Sequence, residues 1–255
     1  MNNILNENQI TAMRECGRIL ALAMGEVKKA VKPGISTHEL DCIAEKSIRE
    51  RGASPSFKNY KVAGIGFYPA SLCVSVNSEI VHGIPSKNRF LKEGDIVSFD
   101  LGARYKNVCS DMAITVPIGK VSNEAQILIK NTSECLDRGI FASIVGNRIG
   151  AIGEAVFHHA TACGLGVVRD LVGHGIGELP HMDPMIPNYG KSSSGPKIIE
   201  NMALAIEPMI TSGGYRVKTN PDGWTIVTAD GSLSAHFEHT IIIINGMPEI
   251  VTVLN

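Results

Sequence analysis

Glu93-Gly-Asp-Ile-Val-Ser-Phe-Asp100 and Glu200-Asn-Met-Ala-Leu-Ala-Ile-Glu207 align without a gap, and each runs an apolar strand into a carboxylate. A strand turns alternate side chains to opposite faces. Ile96, Ser98 and Asp100 therefore share one face against Val97, Phe99 and Leu101, while Ala203, Ala205 and Glu207 oppose Leu204 and Ile206. In both copies the acid lies on the face with the smaller neighbours. One strand written twice points to a diverged internal duplication.

The repeat extends outward. Val81-His-Gly-Ile84 resembles Gly173-His-Gly-Ile176, and Asp111-Met-Ala-Ile-Thr115 resembles Glu238-His-Thr-Ile-Ile242. Asp111 shares a face with Ala113, and Glu238 with His236 and Thr240. Each half thus has a His-Gly-Ile followed by two strand-borne acids. A pseudo-two-fold pairing of halves, about 8–119 and 120–255 within a single domain over 1–255, brings these groups to one centre.

Helix signals come before the strands in both halves. Ile10, Met13, Leu20, Met24, Val27 and Val31 form one stripe closed by Pro33-Gly34, and Ser36-Thr-His-Glu39 has capping-box form ahead of Leu40, Ile43, Ala44 and Ile48. Residues 122 to about 146 and 149–164 read as the second helix pair. Strands are expected over 72–81, 93–102, 111–116, around His174, and over 201–208, 224–227 and 235–244. Residues 103–110 read as a connection and 188–196 as a mobile loop.

The 255 residues, 44% hydrophobic and 19% charged, are enough to bury a substantial core. A formal net charge of -1 supplies no broad basic field, which argues against nucleic acid or an anionic membrane as the main ligand. The sequence shows neither a signal core nor an apolar run of membrane-spanning length, so a cytoplasmic location is expected. Cysteines at 16, 42, 73, 109, 135 and 163 lack Cys-x-x-Cys spacing and read as reduced, mostly buried thiols.

Four carboxylates inside apolar strands cannot converge unpaired, because burial and mutual repulsion both oppose ionisation. No Lys or Arg adjoins any of them in sequence. Two divalent cations offset four negative charges, and His174 adds a neutral nitrogen; a carboxylate-rich set without thiolate suits manganese, iron, cobalt or zinc. The glycines beside His174, in Leu171-Val-Gly-His-Gly-Ile-Gly-Glu-Leu-Pro-His181, permit close approach by a metal, a phosphate or another strand. A phosphate loop is disfavoured by the lack of Gly-Lys-Ser/Thr, and a single-zinc helix protease by the lack of His-Glu-x-x-His. His38, His158 and His159 fall on expected helices and read as surface or structural.

Asp100, Asp111, His174, Glu207 and Glu238 stand in Phe-Asp-Leu-Gly, Cys-Ser-Asp-Met-Ala, Gly-His-Gly-Ile-Gly, Ile-Glu-Pro-Met and Phe-Glu-His-Thr contexts. Together they resemble the dinuclear metal site of type I methionine aminopeptidases, over nearly the whole chain. The resemblance implies the α+β pita-bread fold, two pseudo-two-fold related halves with a curved antiparallel sheet and outer helices. It implies that Asp111 and Glu238 bridge two metals, that Asp100 binds one of them, and that His174 with Glu207 completes the other. The implied activity is removal of the initiator methionine from peptides and nascent chains, preferably before a small second residue. Glu207 would shuttle the proton, His181 would meet the scissile carbonyl, and His82 would contact the substrate backbone or the departing amine. Tyr68, Cys73 and Trp224 match the methionine pocket, where a thioether packs on soft and aromatic groups. A monomer in transient contact with the ribosome completes the expectation.

The chain departs from the family's usual pattern in several places. Ile65-Gly66 stands for Tyr-His ahead of Phe67-Tyr68-Pro69, His236 for a glutamine, Val81 for a frequent cysteine, and Cys109-Ser110 for His-Gly. Two other readings compete. An Xaa-Pro peptidase or creatinase-like hydrolase of the same fold usually carries a large extra amino-terminal domain, whereas about 80 residues precede His82 here. A non-catalytic protein-binding paralogue conflicts with the intact five-residue donor set.

Overall fold

The structure, a computed structural model, describes residues 3–254. Helices α1 (Glu7–Ala30) and α2 (Thr37–Glu50) each open on a capping box, Asn6 with Gln9 and Ser36 with Glu39, so the first orphan N–H groups are satisfied from the sequence itself. A second pair, α3 (Asn123–Phe141) and α4 (Ile149–Ala162), precedes the second set of strands. Helix α3 starts at the Ser122 cap but stops short of the expected 146. The Asn147 side chain takes the Ala142 carbonyl there, and Gly146 turns left-handed.

The central sheet has nine antiparallel strands: β1 (Ser54–Pro55), β2 (Leu72–Val76), β3 (Ile96–Tyr105), β4 (Val108–Pro117), β5 (Val172–Gly175), β6 (Met182–Pro187), β7 (Ala203–Ile206), β8 (Glu238–Ile244) and β9 (Met247–Ile250). Their order is β1-β3-β4-β8-β7-β5-β6, with β2 also on β3 and β9 also on β8. It is symmetric about β4 and β8. On either side comes the partner acid-bearing or acid-preceding strand, β3 or β7, and then β2 or β5. The seam itself is narrow: Glu238 faces Ala113 and His239 faces Met112. Thr240 clamps it, its hydroxyl accepting from the Asp111 N–H and donating to the Asp111 carbonyl, each at 2.8 Å.

The alternation read from the sequence holds. Val97, Phe99, Leu101 and Met112 are buried with Ile19, Leu20 and Leu40 of the first helix pair. Leu204, Ile206, Ile241 and Ile243 are buried with Leu136, Ile140 and Ile152 of the second. The helices cover one face of the sheet, and the acids occupy the other.

Several expected boundaries shift. Residues 103–110 are strand on both sides of a two-residue turn, Lys106 (φ 45°) and Asn107 (φ 65°), whose left-handed pair matches the twist of a hairpin. The polar Arg104-Tyr-Lys-Asn107 run concealed it. Residues 72–81 fold back at Asn77 (φ 58°) into β2 and a separate strand Glu79–Val81, which pairs with Ile226–Thr228. Residues 235–244 divide at Phe237, which packs against the second core; Ser234–His236 pairs with Met209–Thr211, and β8 joins the central sheet. Strand β7 ends before Glu207, since Pro208 has no N–H for a ladder. Trp224 and Thr225 precede their strand because the Asp222 carboxylate accepts both of their N–H groups. Segment 188–196 is a loop tied to α4 by the Ser192 N–H donating to Glu154.

Among the described residues the cysteines are all free, with Cys16, Cys73, Cys109 and Cys135 buried. No described helix is long and apolar enough to cross a membrane.

Candidate metal centre

Asp100 sits in mid-β3, opposite Cys73 on one side and Ala113 on the other, and Asp111 faces Gly102. His174 lies in β5 between two glycines whose role is now definite. A Cβ on Gly173 would lie 2.5 Å from the Ala205 carbonyl oxygen, and one on Gly175 would lie 2.1 Å from that of Asp183. The close approach is to the strands on either side. Gly83 repeats the device in the first half, where a Cβ would lie 2.2 Å from the Val74 oxygen, and it follows His82 (φ 60°), which enters the same space. Glu207 follows β7, its carbonyl accepting from the Asn188 side chain at 3.0 Å.

Asp100, Asp111, His174, Glu207, Glu238, His82, His181, Tyr68, Cys73 and Trp224 all line one cavity of about 320 Å³. Asp100, Asp111 and Glu238 bring one oxygen each within 4.8 Å of one another; His174, Glu207 and Glu238 form a second such group, and Asp111, His174 and His181 a third. Asp111, His174 and Glu238 each belong to two of the groups and so link all three. Oδ1 of Asp100, Oδ1 of Asp111 and Oε1 of Glu238 are buried with no hydrogen-bond partner.

Burial pushes the Asp100 carboxyl up to about 7, and burial together with the neighbouring acids raises Asp111, Glu207 and Glu238 well above the ordinary range. Burial also pulls His174 down to about 3 and His82 to about 4, with His181 adding to both. Acids and imidazoles alike are driven neutral. The close basic contacts of Glu207 and Glu238 are imidazoles: His174 Nε2 is 3.4 Å from Glu207 Oε1, and His236 Nε2 is 3.7 Å from Glu207 Oε2 and 4.0 Å from Glu238 Oε2. Orphaned carboxylate oxygens and imidazole nitrogen make a donor set that fits divalent cations, and the Cys73 thiol beside them, kept protonated by burial and Asp100, adds no thiolate to it.

The other end of the cavity is apolar. Phe57, Tyr68, Ala70 and Cys73 pack together with Ile84 and Trp224, the Tyr68 ring meeting Trp224 edge-on at 5.2 Å and its hydroxyl donating to the Gly83 carbonyl at 3.0 Å. Sequence reasoning missed Phe57, Tyr60, Val62, Leu171 and Met209 as further lining. Met209 was findable, two residues beyond Glu207 on the same alternation. Tyr60 packs edgewise on His181 at 5.1 Å, and His181 lies 4.6 Å from the His174 ring. Outside this wall an open groove continues past Val172, His174 and His181 to Leu179, Met182 and Met185. Of the departures, Ile65 stands exposed at the tip of a short hairpin, Val81 lines the cavity, and Cys109 donates its N–H to Gly177 at 2.7 Å.

The family model of metallopeptidase family M24 matches residues 11–245. The chain belongs to this family. Its M24 relatives include the methionine aminopeptidase of Clostridium acetobutylicum, 47% identical over 249 residues that cover 98% of each chain. The crystal structure of methionine aminopeptidase from Thermotoga maritima superposes with a TM-score of 0.96 at 39% identity, over the full length of both chains. A prolidase from Pyrococcus furiosus shares the fold alone, at a TM-score of 0.78 and 19% identity, and this M24 chain spans only 66% of it. The fold is thus the α+β pita-bread fold expected, with a curled antiparallel sheet and helices. The family's metal dependence agrees with the donor chemistry of the acid cluster.

Proposed function

We propose that this M24 chain hydrolyses the N-terminal methionine of peptides and nascent proteins, preferring a small second residue. Two divalent ions would be held by Asp100, Asp111, His174, Glu207 and Glu238. The observation that carries the reading is one cavity, about 320 Å³ and so at the small end of ligand pockets, with clustered acids at one end and a thiol-aromatic lining at the other. Similarity at 98% coverage to methionine aminopeptidases, against partial coverage of a prolidase, supports this choice over an Xaa-Pro peptidase.

Bound there, manganese, iron, cobalt or zinc would lower the pKa of water and polarise the scissile carbonyl. Glu207, at the edge of the acid cluster beside His174, takes a proton from the attacking water and passes it to the departing amine. His181 keeps one edge open at the cavity mouth while its crowded ring is held neutral, so its N–H donates to the carbonyl oxygen as charge develops. His82, also neutral, contacts the substrate backbone or the leaving amine. Tyr68, Cys73 and Trp224 receive the methionine thioether. The chain beyond the scissile bond leaves past His181 along Leu179, Met182 and Met185. The mirror-like strand order supports one catalytic domain over 1–255 built of halves about 8–119 and 120–255. It would work as a cytoplasmic monomer in transient contact with the ribosome.

The test is hydrolysis of Met-Ala-Ser and Ala-Pro peptides before chelation, after chelation and after readdition of ions, alongside metal analysis. Methionine release that disappears and returns, with two ions per chain, is the expected result. Preference for Ala-Pro would install the Xaa-Pro reading. A folded chain with neither metal nor turnover would leave a binding paralogue.

A further inference from the structure

His236 stands where the resemblance leads one to expect glutamine, and it does not line the cavity. It is 1% exposed, and neither ring nitrogen has a hydrogen-bond partner. Its backbone is fixed. The His236 N–H donates to the Thr115 hydroxyl at 2.9 Å, that hydroxyl donates back to the His236 carbonyl at 2.8 Å, and Ser98 completes the chain at 2.8 Å from Thr115. A buried imidazole held this rigidly, with unsatisfied nitrogens, is unfavourable unless those nitrogens have a use.

The carboxylates within 4.0 Å of its ring are the two acids contributed by the second half. Nε2 lies 3.7 Å from Glu207 Oε2 and 4.0 Å from Glu238 Oε2, while the other Glu207 oxygen faces His174 Nε2 at 3.4 Å. The Glu207 carboxylate is therefore straddled by two imidazoles, one on each oxygen. A shift of about half an ångström brings the His236 contact into hydrogen-bond range. We propose that His236 is a positioning residue: its Nε2–H donates to Glu207 Oε2, turning Oε1 toward His174 so that the pair presents one oxygen and one nitrogen to a divalent ion. The inference rests on the metal centre proposed above. An N–H bonded to a carboxylate donor in this way raises the order of the site without adding charge.

Metal-free wild type, His236→Ala and His236→Gln are titrated with Co2+ by calorimetry and by visible absorption, with folding checked by thermal melts. His236→Ala is expected to weaken Co2+ binding about 10–100-fold and to shift the visible band. His236→Gln keeps an N–H donor and is expected to recover most of the affinity. In peptide assays at saturating ion, kcat falls more than KM changes in the alanine variant, because the substrate pocket is untouched. Unchanged affinity and spectrum in His236→Ala, with only a lowered Tm, overturns the proposal and leaves a packing role. Should that variant not fold, His236→Met, which has no donor, takes its place under the same criteria. Wild type that binds no Co2+ removes the metal centre itself, and this inference with it.

Discussion

His82 is the one described non-glycine residue in the left-handed region that is neither asparagine nor lysine, and such a conformation costs about 1–3 kcal/mol. The strain carries an imidazole from the end of strand Glu79–Val81 into the cavity. Nothing in His-Gly-Ile-Pro announces that backbone, so the sequence pointed to the residue but not to how it is aimed. The acids were legible for a simpler reason: Asp100, Asp111, Glu207 and Glu238 each contradict the apolar strand around them, and the contradiction repeats. Phe57 and Tyr60 were not, because an aromatic in the polar 56–61 stretch looks the same whether it lines a cavity or faces water. Trp224, edge-on to Tyr68, was reachable only through the resemblance. Trp224→Ala is expected to raise KM for methionyl peptides about tenfold, equivalent to roughly 1.4 kcal/mol of lost contact. An unchanged kcat/KM would remove Trp224 from the methionine pocket.

At the level of elements, periodicity located the four described helices and the acid-bearing strands. It failed at their ends. Asn77 and Asn107 enter left-handed turns that no hydrophobic pattern records, and Phe237 parts two strands that belong to different sheets although the apolar run passes straight through it. The glycines of β5 were read as a place of close approach, but only the neighbouring strands say what approaches. Gly175→Ala sets a Cβ against the Asp183 backbone, which has no side-chain freedom with which to yield, and is expected to destabilise by about 1–3 kcal/mol. Gly25, inside α1 with nothing within 4 Å of a Cβ, gives the opposite sign: alanine there is expected to stabilise by about 0.5–1 kcal/mol. Urea unfolding of both variants measures the contrast, and equal effects would refute the backbone-contact explanation.

For the molecule as a whole, the acids link stability to pH. A carboxyl whose folded pKa is raised favours the folded state below its unfolded value and loses that contribution as pH climbs through the folded one. For Asp100 the loss runs from about 3.8 to about 7, and for Asp111, Glu207 and Glu238 it continues upward. The buried imidazoles of His82, His174 and His236, lowered to about 4, 3 and 3, work the other way, adding stability as pH rises toward 6.5 and nothing beyond. Of these two sets only the acids act above pH 7. Chelated protein is therefore expected to lose Tm between pH 7 and 9, and ion-loaded protein to lose much less, because the ions replace the protons. Calorimetric scans of both forms at the two pH values check this; parallel curves would mean that the acids are not held as a buried cluster.

The narrow seam between β4 and β8 has a bearing on synthesis. Asp111 and the threonine that clamps its backbone are 129 positions apart, so the first half leaves the ribosome with its acids facing no counterpart. The centre cannot assemble until β8 has been made and docked, and contacts at that separation form slowly. An ion can therefore be captured only near the end of folding. With the ions proposed above, loading would then fall at the end of this chain's folding, and the supply of metal at that moment would decide how much of the protein becomes competent.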